Sequence, residues 1–125
     1  MYNAKTVDYF SNPRNMGEIK DADIVAQGGN PACGDVVKLY LKLSENRGRK
    51  TEDRIIRDIK FKAFGCGACL ASTSALTELV KGKKISQAKK ITNQDIADFL
   101  GGLPSQKMIC SNFSADVFKK AIKDH

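Results

Sequence analysis

Tryptophan is absent from the sequence, histidine occurs once, as the final residue His125, and no apolar run approaches the roughly 20 residues that cross a bilayer. The last of these absences excludes a membrane-spanning helix, so a soluble chain is expected. The opening segment, Met1 to Phe10, has neither the apolar core nor the small-residue cleavage site of an export signal. A cytoplasmic location is therefore the expectation. In a reducing compartment four cysteines are poorly explained by disulfides, and metal binding or thiol chemistry explains them better. Internal repeats, low-complexity tracts and a second domain are also missing, and 125 residues suffice for one unit that buries its own core. One domain over residues 1–125 is expected.

The formal charge of +7 would draw phosphates if the cations were clustered. They are scattered instead. Lys38, Lys42, Lys60 and Lys62 alternate with apolar residues as on the solvent face of strands, and Lys119, Lys120 and Lys123 fall on the outer face of a helix. Neither a nucleic acid nor a membrane is expected as a partner, and acidic proteins account for the basicity equally well.

Val7 and Phe10 stand at helical spacing and the pattern stops at Ser11-Asn12-Pro13, which predicts a short helix and a turn. Val37, Leu39, Leu41 and Leu43 alternate with Lys38, Tyr40 and Lys42, the period of a half-buried strand. After the polar stretch Ser44 to Arg54 the alternation resumes with Ile55, Ile59, Phe61 and Ala63, and the two strands are expected to pair antiparallel. Asp23 to Gln27 is a weaker third strand. A helix starts at the cysteines and runs through Leu70, Leu76, Leu79 and Val80 to a glycine stop at Gly82. Ser86 and Asn93 are expected to cap two further helices, the second ending at Gly101-Gly102. A last helix, from about Ser114, carries the apolar stripe Val117, Phe118, Ala121 and Ile122. Strands first and helices afterwards predict an α+β fold, a small antiparallel sheet of about three strands with helices packed on one face.

Cys33, the Cys66-Gly-Ala-Cys69 pair and Cys110 each sit at a boundary between elements, so they can meet at one end of the sheet. Gly34, Gly65 and Gly67 let the backbone turn tightly there and leave room for an inorganic ligand. Thiolates select zinc, copper(I) or iron-sulfur species. Asp35, two residues past Cys33, adds a hard oxygen donor, and mixed ligation holds a cluster less firmly than four cysteines would. Against this stands the bland alternative of small buried thiols beside a turn aspartate. A CxxC at a strand-to-helix junction is also a thiol-disulfide arrangement, although two hairpin-linked strands do not make the βαβ setting in which that chemistry is usually found. A zinc ribbon needs a second CxxC knuckle, which the chain lacks.

With Asp8-Tyr9-Phe10, Asn12-Pro13-Arg14-Asn15, Pro31-Ala32-Cys33-Gly34-Asp35, Phe64-Gly65-Cys66-Gly67, Ala71-Ser72-Thr73-Ser74 and Cys110-Ser111 in this order, the chain resembles the IscU family, including the N-terminal domain of NifU. The resemblance spans almost the whole chain. It implies a non-enzymatic scaffold on which a 2Fe-2S cluster is built from iron and persulfide sulfur and then passed to apo iron-sulfur proteins. It carries Cys33, Cys66 and Cys110 over as cluster cysteines and Asp35 as the carboxylate that keeps the cluster labile, with Cys110 the candidate sulfur acceptor. It implies as partners a cysteine desulfurase, an iron or electron donor and a DnaK-type chaperone pair, and it is compatible with a homodimer sharing one cluster.

Two positions depart from that family. Ile109 stands where a histidine usually precedes the last cysteine, and Cys69 stands where a small residue is usual. Cys69 lies one helical turn past Cys66, so it is a candidate replacement ligand or sulfur acceptor, and a buried structural thiol is the equal alternative. The chaperone-recognition segment, Leu-Pro-Pro-Val-Lys in the family, reads Leu103-Pro104-Ser105-Gln106-Lys107 here. The competing reading on the same fold is a zinc-bound sulfur acceptor of the SufU type, which usually carries an insertion before its last cysteine that is not evident here.

Overall fold

The side chain of Asn3 accepts a hydrogen bond from the amide of Thr6 and so starts α1, Ala4–Ser11. The helix ends at Asn12, ahead of Pro13. The structure, a computed structural model, describes residues 3–30, 34–45, 48, 50–103 and 113–123. After α1 the chain runs through β1 (Ile24–Asn30), β2 (Asp35–Leu43), a 3₁₀ turn at Thr51–Asp53 and β3 (Ile56–Phe64). It continues in α2 (Gly67–Val80), α3 (Ile85–Ala88), α4 (Asn93–Phe99) and α5 (Ser114–Lys123). The strands form an antiparallel meander in the order β1-β2-β3.

The inward residues of β2, namely Val37, Leu39, Leu41 and Leu43, are buried, as are Ile59 and Phe61 of β3. Each such side chain contributes about 1.5–3 kcal/mol on leaving water. α2 packs against β3, α5 against β1 and β2, and α1 and α4 against α2. On α5 the residues Val117, Phe118 and Ala121 are buried and Ile122 packs at the edge of the same core, as its stripe predicts. The β1 strand is longer than its weak alternation suggested and pairs with β2 from Ile24↔Leu41 to Asn30↔Asp35.

Three further details differ from the sequence expectation. In β3 the register passes from Lys42↔Asp58 to Leu43↔Ile56, so one extra residue reverses the alternation and buries Ile56 in place of Ile55. Asn93 is the first residue of α4, whose cap is Thr92: its hydroxyl accepts from the Asp95 amide and the Asp95 carboxylate accepts from the Thr92 amide. Ser86 lies inside the short α3, which starts after Lys84. The α2 stop at Gly82 is as expected, but the Gly82 amide donates to the Ile56 carbonyl at 2.8 Å, tying the helix end to the start of β3.

Some of the scattered positive charge is paired. Arg14 bonds Asp8, Lys62 bonds Glu18, Lys89 bonds Glu52, Lys42 lies 3.3 Å from Asp21, and Lys81 lies 3.5 Å from Asp58. Among the described residues no helix is long and apolar enough to cross a membrane.

Candidate metal centre

β3 ends at Phe64, the chain turns at Gly65, and α2 begins at Gly67 with Cys66 as its cap residue. The Val36↔Phe64 pairing brings Asp35, the first residue of β2, to this same corner. Asp35 is 1% exposed. Its Oδ1 accepts the Cys66 amide at 3.2 Å, while its Oδ2 is buried without a hydrogen-bond partner among the described residues. An orphaned buried oxygen costs on the order of 1–3 kcal/mol, so a carboxylate oxygen kept in this state is suited to a cation or a donor supplied from outside. Space for the carboxylate exists because residue 65 is glycine: a Cβ there would stand 2.2 Å from Asp35 Oδ1.

Cys66 is half-buried and Cys69 wholly buried, and both are reduced. Burial pushes the Cys69 thiol up to about 12, the charges of Asp35 and Cys66 push the same way, and a hydrogen bond with Thr73 opposes them. The Cys69 carbonyl accepts from the hydroxyls of Ser72 at 3.1 Å and Thr73 at 2.8 Å, which fix this turn of the helix.

The loop after α1 is bonded to α2. The Arg14 amide donates to Ser74 Oγ at 2.7 Å, and Asn15, at φ 60, donates through Nδ2 to Thr77 Oγ1 at 3.0 Å. Two motifs that the sequence shows only as separate strings, Asn12-Pro13-Arg14-Asn15 and Ala71-Ser72-Thr73-Ser74, thus meet each other. Gly67 has a different function from the expected tight turn: it lies in α2, and a Cβ on it would stand 2.9 Å from the Phe10 ring. Phe64 extends 80% exposed beside the site, with Val36 opposite it at 38%. Its position in the alternation of Lys60 and Lys62 already places it outward, a signal that the sequence carries.

Asp35, Cys66 and Cys69 are therefore brought to one end of the sheet. Cys33, Cys110, Ile109, Pro104 to Lys107 and His125 lie outside the described residues. Among the described residues no three His, Cys, Asp or Glu side chains are placed to hold a metal ion.

Across residues 1–125 the chain matches the sequence profile of the NifU-like N terminal domain. It belongs to that family. Within this NifU-like family the chain is 50% identical over 125 residues to iron-sulfur cluster assembly scaffold protein IscU 1 of Archaeoglobus fulgidus, covering all of this chain and 76% of that protein. It is 47% identical over 124 residues to the IscU scaffold protein of Aquifex aeolicus, covering 99% of this chain and 75% of that protein. Among solved structures, the putative iron-sulfur cluster assembly scaffold for the SUF system from Fervidobacterium islandicum AW-1 superposes with a TM-score of 0.61 at 25% identity. That likeness covers 95% of this chain and 82% of the other. The expected fold and family are both supported by these findings.

Proposed function

We propose that this chain is a scaffold on which a 2Fe-2S cluster is assembled from iron and persulfide-derived sulfur and from which it passes to apo-proteins. Residues 1–125 act as one unit, in the cytoplasm, and no organic substrate is turned over. The observation that carries the reading is the buried Asp35, its Oδ2 unpartnered among the described residues, set beside Cys66 at the start of α2. A hard oxygen next to soft sulfur suits an ion that must be held and then released. The relatives named as IscU scaffolds support the same reading.

Cys33, Cys66, Cys110 and Asp35 hold the cargo, and Cys110 receives sulfur. The sulfur donor is a cysteine desulfurase, an iron or electron donor completes assembly, and apo iron-sulfur proteins are the recipients. Exposed Phe64 gives such proteins an apolar contact at the lip of the site.

The test is metal and sulfide analysis of protein purified without oxygen, followed by anaerobic reconstitution with ferrous iron, cysteine and a desulfurase. Equimolar iron and sulfide with a visible charge-transfer spectrum, lost on incubation with an apo-ferredoxin that gains it, is the expected result. Zinc bound tightly without sulfide, unexchanged by iron, would overturn it in favour of a zinc-bound sulfur acceptor.

A further inference from the structure

Cys66 and Cys69 differ in what reaches them. Cys66 is half-buried at the cap position of α2, whereas Cys69, three residues on, has no exposed surface. The Cys69 amide donates to the Cys66 carbonyl at 3.1 Å, so the turn that carries both is closed. Cys66 is the extended cap residue and Cys69 the third residue of α2, and closing them into a disulfide brings their Cβ atoms to roughly 3.5–4.5 Å. A half-buried cysteine and a shielded one across the first turn of a helix are arranged as an attacked and a resolving thiol.

We propose that Cys66 and Cys69 are a resolving pair that reduces persulfide sulfur to sulfide within the chain. Sulfur handed from a Cys110 persulfide to Cys66, which frees the Cys110 thiol, makes a Cys66 persulfide; the Cys69 thiolate then attacks Cys66 Sγ, the bond to the outer sulfur breaks, and a Cys66–Cys69 disulfide forms. The outer sulfur leaves as hydrogen sulfide and gains the electron pair. The Cys69 sulfur is oxidised; the proton it gives up on becoming the thiolate is taken up by the departing sulfide, so no outside oxidant or reductant enters the balance.

The surroundings serve this step. The Ser72 and Thr73 hydroxyls hold the Cys69 carbonyl, and Asp35 Oδ1 holds the Cys66 amide, so both ends of the turn are fixed. Asp35 Oδ2, buried at the same corner and unpartnered among the described residues, is an acceptor for the S–H of the departing sulfide. The disulfide removes Cys66 as a ligand until a dithiol reductant reopens it, which couples assembly to the supply of such a reductant. The inference rests on the sulfur-accepting part of the proposed function and assigns Cys69 a role distinct from ligation.

The experiment loads the metal-free chain without oxygen with glutathione persulfide, removes small molecules, and follows released sulfide together with the mass of the peptide spanning Cys66 and Cys69. In wild type, sulfide release in step with a peptide two hydrogens lighter is expected. Cys69→Ser is expected to keep the added sulfur on Cys66 and to release sulfide at least about tenfold less. Wild type that retains the persulfide, or that forms its disulfide through Cys33 or Cys110, overturns the inference whatever the variant's fold. Cys69→Ser, shown folded by thermal unfolding, that releases sulfide like wild type overturns it equally. Reconstitution from iron and inorganic sulfide bypasses the step. A chain that holds a cluster from inorganic sulfide yet frees none from persulfide loses this inference alone, and one that frees sulfide yet holds no cluster loses the scaffold reading alone.

Discussion

Asp35 and Gly65 share a space that only one side chain can fill: a Cβ at residue 65 would stand 2.2 Å from Asp35 Oδ1 and 2.8 Å from its Cγ. The carboxylate cannot simply swing aside, because it is buried and its Oδ1 holds the Cys66 amide. Gly65 also has φ +155, where a side chain adds strain. Gly65→Ala is therefore expected to cost about 2–4 kcal/mol in urea unfolding and to lower retained iron several-fold, because Asp35 leaves its seat. A variant with wild-type stability and iron content would show that the corner is not this tightly built.

Asp35→Asn separates the two functions of that side chain. The amide oxygen can still accept from the Cys66 amide, but the oxygen that stands unpartnered is replaced by a neutral donor. The expected outcome is a folded chain whose reconstituted cluster passes to an apo-ferredoxin roughly tenfold more slowly, since exchange loses its hard, weakly held ligand. Asp35→Ala removes both functions and is expected to be less stable than Asp35→Asn by about 1–2 kcal/mol. Equal transfer by wild type and Asp35→Asn would refute the role of the charge.

Much of this was legible in the sequence. The alternation Val37-Leu39-Leu41-Leu43 has one period and one meaning, and the strand it predicts is the central one. Phe118 and its neighbours likewise repeat at 3.6 residues and are buried on α5. The β3 bulge was not legible, because Ile55 and Ile56 are equally apolar and only pairing with β2 decides which one turns inward. Thr92 and Asn93 are both good cap residues, and only Asp95, three residues past Thr92, separates them. At the site, the strings around Asp35 and Cys66 pointed to sulfur and oxygen ligation, but the bond between Asp35 and the Cys66 amide joins residues 31 positions apart. No local pattern encodes it.

The contact between Phe10 and Gly67 gives a prediction about the docking of α1. An added methyl on residue 67 would meet ring carbons at 2.9 to 3.2 Å, so the aromatic face must withdraw. Gly67→Ala is expected to destabilise by roughly 1–3 kcal/mol despite alanine's better helix propensity. Combined with Phe10→Leu, which shortens the neighbour, the penalty is expected to shrink and leave a coupling of about 1 kcal/mol in a double-mutant cycle. Additive losses would mean that the two residues do not bear on each other.

The buried Cys69 thiol makes the metal-free chain sensitive to alkali. In the folded state its ionisation is pushed from 9.0 to about 12, chiefly by burial, so between these values the unfolded chain gives up a proton that the folded chain keeps. Stability from this group is complete below the unfolded value and declines as pH rises towards the folded one, with a slope approaching about 1.4 kcal/mol per pH unit. The other cysteines and the lysines titrate in the background, which is why the comparison is with Cys69→Ala and not with neutral pH alone. Urea unfolding at pH 8 and pH 10 is expected to show wild type losing about 1–2 kcal/mol more than Cys69→Ala over that interval. Cys69→Ala is itself expected to be less stable at pH 8 because it leaves a small cavity, so the two curves should converge with rising pH. Parallel curves would place the Cys69 sulfur in contact with water and undo the burial on which its shielding from solvent depends.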